Sequence, residues 1–196
     1  MQLFPLFFLP DLSYMATLLR SPEAVIEAQE NFVKSGNRNR TTILAANGPL
    51  TLSIPLKGGR DHRRSYRDVI LAEEPWRRKH LQTIRSAYGS TPFFEHYFES
   101  FEMVYLKPTT GLFEFNTNLL QWLLSQLKIR EPLRFTSVYE KEIAGIDLRQ
   151  GNFPEMKAYP YIQAFSHKHG FCKNVSVLDT IFNLGPESKN YLNGII

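Results

Sequence analysis

Thr41-Thr-Ile-Leu-Ala-Ala46, Asn47-Gly48 and Pro49-Leu-Thr-Leu-Ser-Ile54 together decide the fold class. Asn-Gly accepts the positive φ angles of a type I′ turn, whose twist matches that of the flanking strands. Leu50, Leu52 and Ile54 alternate with Thr51 and Ser53, which predicts a second strand with one buried face. Pro55 ends it. An antiparallel hairpin is therefore expected here. Upstream, Ala24–Ala28 reads as a strand and Leu3–Leu9 as a buried strand or extended segment, because Pro5 and Pro10 exclude a regular helix. Asp11–Leu19 between them has the signals of a short helix, with Asp11 near its start.

Downstream the period changes to that of helices. Pro75 suits a first helical position, and Trp76, His80, Leu81, Ile84 and Tyr88 line one face up to Gly89. Thr91-Pro92 reads as N-cap and first residue of a second helix, with Phe94, Tyr97, Phe98, Phe101 and Tyr105 as its buried stripe. Leu112–Leu127 forms a third, apolar over a wide arc. Leu133–Tyr139 alternates like a strand, and Lys141–Lys157 is loop-like. Tyr159–Phe165 is an aromatic extended run, followed by a polar turn to Gly170. A short helix, capped by Asn174 or Ser176, then runs to the Gly185-Pro186 stop. The expected architecture is α/β: a single domain over residues 1–196, with a small mixed sheet containing an antiparallel hairpin and three to four packed helices.

The chain is 43% hydrophobic, enough for a sizeable core, with net charge +4 and pI ≈ 9.2. The cationic excess lies in residues 1–90, which hold 13 Lys and Arg against 8 Asp and Glu. Part of it forms a basic loop, Lys57–Arg67, read either as an anion-closing loop or as a surface segment. The basic residues are not interleaved with a stacking motif, which argues against nucleic acid. A single cysteine, Cys172, excludes an internal disulfide and reads as a small packed side chain. The apolar start lacks the cationic flank and cleavage site of a signal peptide, and no uninterrupted apolar run is long enough to span a bilayer. A soluble, cytoplasmic protein is expected.

Several residues are candidates for chemistry. Arg38-Asn39-Arg40 offers two guanidinium forks suited to phosphate or carboxylate; alternatively one arginine pairs with a glutamate and Asn39 shapes a turn. His80 reads either as a satisfied core histidine or as a general base partnered by Asp179 or Tyr88. His167-x-His169 lacks a third ligand at convincing spacing, so no metal and no cofactor is expected. Asp179 and Asn183, four apart, project from one side of the last helix. They either cap Ser176 and bond the local backbone, or edge a pocket with Gln163 and His169. Phosphate loops, dinucleotide fingerprints and Gly-x-Ser-x-Gly elbows are absent.

Tyr161-Ile-Gln-Ala-Phe165, Lys168-His-Gly-Phe171 and Asn174-Val-Ser-Val-Leu-Asp-Thr-Ile-Phe-Asn-Leu-Gly-Pro-Glu187 resemble the closing signature of the WbqC-like protein family. The order Arg38-Asn39-Arg40, Ser53-Ile-Pro55, Trp76…His80…Ile84…Tyr88 and Pro92-Phe-Phe-Glu-x-Tyr97 is similar as well. Longer family members open with a His-x-Pro element and carry a glycine-rich segment. Phe4 stands in place of that histidine, and Lys141–Lys157 in place of that segment, so the chain resembles the compact, Bacteroidetes-type form. The resemblance implies a place in surface-polysaccharide (O-antigen) metabolism and a transferase role. On that expectation His80, His169 and Asp179 are the catalytic candidates. Arg38, Asn39, Arg40, Tyr88, Gln163 and Asn183 would bind an anionic small-molecule substrate, a nucleotide sugar or an acyl donor. The alternative is a non-catalytic adaptor that uses the basic loop and its aromatic surface.

Overall fold

β1 (Gln2–Phe4) is the middle strand of a parallel sheet, flanked by β2 (Ala24–Ile26) and β5 (Ile146–Asp147). The computed structural model describes residues 1–34, 36–58, 64–73, 75–157 and 159–195. Parallel neighbours cannot be joined by a tight turn, so the chain crosses from β1 to β2 through α1 (Leu12–Arg20). A middle strand covered on both faces needs successive apolar residues, and Leu3 and Phe4 are both buried. The Asp11 carboxylate starts α1 as expected, accepting the Tyr14 amide at 2.9 Å.

After Phe4 the prolines stop the strand, and residues 5–10 run through the core as an irregular arm. Buried backbone outside regular structure must find partners elsewhere, and this arm does. Pro5 and Leu6 carbonyls accept the Tyr14 and Tyr66 hydroxyls, both at 2.9 Å. The Leu9 carbonyl accepts Thr41 Oγ1 at 2.7 Å, and the Phe8 amide donates to the Asn37 carbonyl at 2.8 Å.

The hairpin is present as β3 (Arg40–Ala45) and β4 (Gly48–Ser53), and it forms a two-stranded antiparallel sheet of its own. Its turn lies one residue earlier than the sequence reading places it. Ala45 pairs with Gly48, so Ala46 and Asn47 make the turn; neither has positive φ, and Gly48 carries it instead, at +104°. The turn is therefore not type I′. Alternation also fails at Leu50, which is exposed while Leu52 and Ile54 are buried.

α2 (Trp76–Tyr88), α3 (Phe94–Leu106) and α4 (Leu112–Gln126) appear where the periodicity places them. Thr91 does not cap α3: its hydroxyl donates back to the Tyr88 carbonyl at 2.6 Å and tightens the α2–α3 turn. Leu133–Tyr139 does not form a strand. It contributes one parallel bridge, Phe135 to Ile26, at the outer edge of β2. The expected loop 141–157 contains β5. Near the end lie α5 (Ser166–His169), α6 (Leu178–Leu184) and α7 (Ser188–Gly194). α5 and α7 are too short for a helical period to announce them.

The C-terminal part is stitched into the front of the molecule: the Ser176 amide donates to the Thr42 carbonyl at 2.7 Å and the Val177 amide to the Pro10 carbonyl at 2.8 Å. Phe182 of α6 then packs on Tyr88, Phe94 and Phe101. One continuous apolar cluster runs from Phe4 to Ile195.

Gly185 closes α6 with φ +54°, and a Cβ there would lie 2.5 Å from the Phe93 ring. The strained backbone and the blocked space act together, so Gly185→Ala is expected to cost at least about 2 kcal/mol. Urea unfolding checks this; an unchanged midpoint contradicts it.

Candidate functional site

Two clusters of buried polar side chains hold most of the sequence candidates. The first lies beyond the carboxyl ends of the parallel strands. Glu27 follows β2 and Arg149 follows β5, and their side chains meet at 3.4 Å. Both are buried. Glu27 also accepts Thr136 Oγ1 at 2.6 Å and the Gln29 amide at 2.7 Å. Arg149 is saturated by Asp147, by the Glu140 and Lys141 carbonyls, and by the face of Tyr139. Beside this pair Arg38 grips Glu30 with both arms of its fork, at 2.7 and 2.6 Å, and donates to the Arg149 carbonyl at 3.3 Å. Burial pushes the Glu30 carboxyl up, and the Arg38 guanidinium pulls it part of the way back. A further buried chain links Arg38 to the core: its carbonyl accepts Asn116 Nδ2, which also donates to the Tyr66 hydroxyl, each at 2.6 Å.

The rest of the Arg-Asn-Arg motif points elsewhere. Asn39 closes the base of the hairpin, donating from Nδ2 to the Ile54 carbonyl at 3.1 Å while its own carbonyl accepts the Ile54 amide. Arg40 is exposed at the start of β3 and has no ion pair among the described residues.

His80 sits in an aromatic enclosure. Phe8 stacks on it and Trp76 meets it edge-on, while Nδ1 lies 2.7 Å from the Tyr105 hydroxyl. Burial lowers its pKa to about 4, against a smaller upward pull from the Ser53 backbone. The ring is therefore neutral at physiological pH. Neither Asp179 nor Tyr88 is its hydrogen-bond partner; Tyr105 is.

The second cluster centres on Asp179, which is wholly buried at the start of α6. It does not cap Ser176. Its Oδ2 accepts Gln163 Nε2 at 2.9 Å and the Tyr161 hydroxyl, whereas the buried Oδ1 has no partner among the described residues. Burial raises the carboxyl pKa, opposed by donors from Tyr161, Gln163 and Tyr88. Tyr88 is pushed well above its ordinary value, by burial first and then by the Asp179 charge. Its hydroxyl accepts the Leu44 amide from β3 at 3.3 Å. Asn183 supports the backbone, donating to the Asp179 carbonyl at 2.7 Å. Gln163 clamps the segment above: Nε2 donates to the Cys172 carbonyl at 3.1 Å, and Oε1 accepts the Cys172 amide at 2.8 Å. The Cys172 thiol is half-buried, with its pKa raised by burial and by Asp179. His169 lies over the hairpin turn instead, with Nε2 3.0 Å from the Ala46 carbonyl.

Of the sequence candidates, then, Tyr88, Gln163, Asp179 and Asn183 come together. Arg38, Asn39, Arg40, His80 and His169 occupy separate places. Tyr161 belongs with the Asp179 cluster but is not among the sequence candidates. The signal for it was available: in an extended run residues 161 and 163 share a face. Glu27, Glu30 and Arg149 carried no motif that would single them out.

The model of the WbqC-like protein family matches residues 7–148, most of the chain. The chain belongs to the WbqC-like family. The match contains Arg38, Asn39, Arg40, His80 and Tyr88, while the Asp179 side of the second cluster lies beyond it. No curated protein and no solved structure matches the chain. Among the described residues, no group of three or more His, Cys, Asp or Glu is placed to hold a metal ion, and no helix is long and apolar enough to cross a membrane. Residues 59–63 of the basic loop lie outside the described residues.

The enclosure of His80 has a measurable consequence. A folded pKa of about 4 lies below the ordinary 6.5, so the folded state takes up this proton later than the unfolded chain does. The stabilisation is complete above pH 6.5 and is lost as pH falls towards 4, by at most about 3 kcal/mol. His80→Gln is expected to flatten the melting temperature between pH 6.5 and 4.5 relative to the parent. Parallel curves for the two proteins contradict it.

Proposed function

We propose that this chain is a transferase-like enzyme of surface-polysaccharide metabolism in the cytoplasm, the compact form of its family, acting on an anionic nucleotide-sugar or acyl donor. The observation that carries the reading is the Asp179 carboxyl, fully buried with a raised pKa and held on one oxygen by Tyr161 and Gln163. Perturbed, precisely supported titratable groups gather where a protein handles protons. When an acceptor hydroxyl attacks a donor carbon it must shed a proton as the leaving group departs with the bonding pair. Tyr161 is half-buried and joins the surface to the interior, so it takes that proton while passing its own to Asp179. Asn183 and Gln163 hold the pair in place, and Tyr88 shares the field of the carboxylate.

Of the two arginines in the Arg38-Asn39-Arg40 motif, Arg40 is the one without an ion pair among the described residues; in this reading it holds the anion, two residues from Thr42, whose carbonyl anchors the C-terminal segment. His169 is the exposed proton carrier beside the hairpin turn. Arg38, Asn39 and His80 serve the structure that presents these groups.

Nucleotide sugars or acyl-CoA thioesters are expected to raise the melting temperature, with Arg40→Ala removing the shift. Asp179→Asn keeps the acceptor oxygen and should hold stability within about 1 kcal/mol at pH 7 while abolishing turnover. A well-folded protein that no member of a broad donor panel shifts, or an active Asp179→Asn variant, would contradict the proposal.

A second reading is favoured by a different observation. Tyr159 and Ile162 are 63% and 86% exposed, and Val138 and Tyr139 are exposed as well, the aromatic surface an adaptor would use. In that case Ile162→Asp abolishes capture of a partner protein, and the donor panel does nothing.

A further inference from the structure

One cavity lined by described residues belongs to neither polar cluster. It has a volume of about 540 Å³ and lies where the end of α1, the edge of β2, the end of α4 and α7 converge. That volume falls within the range of small-molecule sites, roughly 300–1,000 Å³. Its walls are mixed: Leu18, Ile26, Leu124 and Leu133 contribute to an apolar part, and polar side chains line the rest. Pro22 and Pro132 stiffen two of its sides.

Charge is concentrated among the remaining lining residues, and it is predominantly positive. Arg20, Arg134 and Lys189 line the cavity against a single carboxylate, Glu131. Arg20 is committed to the structure, since it donates to the Asn193 carbonyl in the last turn of α7. Arg134 and Lys189 have no side-chain hydrogen bond or ion pair among the described residues. Neither Glu131 nor Glu23 forms an ion pair with them. Glu131 accepts the Arg130 amide, and Glu23, which feels Arg134 at longer range, is tied to the amino terminus at 2.8 Å. The backbone places Arg134 firmly, because its carbonyl accepts the Ile26 amide at 2.8 Å on the edge of β2.

We propose that this cavity binds a single-chain amphiphile with an anionic head: an alkyl or acyl chain against the leucine-lined walls, and a phosphate or carboxylate between Arg134 and Lys189. The apolar part alone would accept any chain, and the two uncommitted cations select the anionic ones. The site shares no residue with the Asp179 cluster, so it stands or falls independently of the catalytic reading.

The test is calorimetric titration of the full chain with decyl phosphate and decanoate below their micelle concentrations. Neutral decyl maltoside and inorganic phosphate serve as the two half-ligands. Saturable one-to-one binding is expected for both anionic amphiphiles, at least ten-fold tighter than for the neutral one, with no detectable binding of phosphate alone. Arg134→Ala with Lys189→Ala should abolish that preference while leaving the melting temperature unchanged. Leu133→Asp should weaken all chain-bearing ligands at least ten-fold; a Leu133→Met variant keeps the wall apolar and should retain binding if the Asp variant fails to fold. Absence of binding, equal affinity for neutral and anionic amphiphiles, or a preference untouched by the double alanine variant would each overturn the proposal.

Discussion

The two-armed ion pair between Arg38 and Glu30 is the constraint around which the front of the molecule is arranged. Both groups are buried, and two charges removed from water are tolerated only with close geometry and full hydrogen bonding. Here the guanidinium reaches the Arg149 carbonyl behind β5, while the Arg38 carbonyl takes the Asn116 side chain from α4. Arg149 in turn meets Glu27 behind β2. The ends of two outer strands, the approach to the hairpin and the longest helix are thereby tied at one point. Ligands in parallel α/β sheets tend to sit outside the carboxyl ends of the strands. In this chain that position is filled by its own charges.

That arrangement separates two kinds of buried polar group. In the Arg38 seam every charge has a partner of opposite sign. In the Asp179 cluster the carboxylate has only neutral donors, and one of its oxygens has none among the described residues. A lone carboxyl held by neutral donors sits with a raised pKa. The pieces around it come from β3, α2, α6 and the extended run before α5, so the cluster exists only once the C-terminal segment has docked on the hairpin.

Much of the fold was legible because its determinants are local. The helical stripes of α2, α3 and α4, the Asp11 start of α1 and the presence of a strand pair around residues 40–53 all follow from local sequence, although the turn type does not. The details that failed are set by tertiary partners. Leu50 follows the alternation but has no covering layer, and Leu133–Tyr139 finds only the end of β2 to pair with. β5 is two residues long, too short to show a period, and exists because β1 offers it an edge. For the site, Arg38-Asn39-Arg40 looked like a pair of anion clamps, but whether an arginine is free depends on Glu30, eight residues away and unmarked by any motif. His80 already stood on an apolar face, and the aromatic enclosure resolves which of its two readings the surroundings favour. Helical spacing put Asp179 and Asn183 on one side of α6; of the pocket edge read for them with Gln163 and His169, Gln163 is beside Asp179 while His169 lies over the hairpin turn. Tyr161 needed only the two-residue period of an extended run.

A double-mutant cycle on Arg38 and Glu30 tests the central claim most directly. Arg38→Met and Glu30→Met are each expected to destabilise by about 3–5 kcal/mol, because each strands a buried charge. The double variant should fall well short of the sum, with a coupling of at least about 2 kcal/mol. Single changes costing less than about 0.5 kcal/mol and adding without coupling would show that the pair does not hold the fold, and would return Arg38 to the pool of residues free to bind an anion.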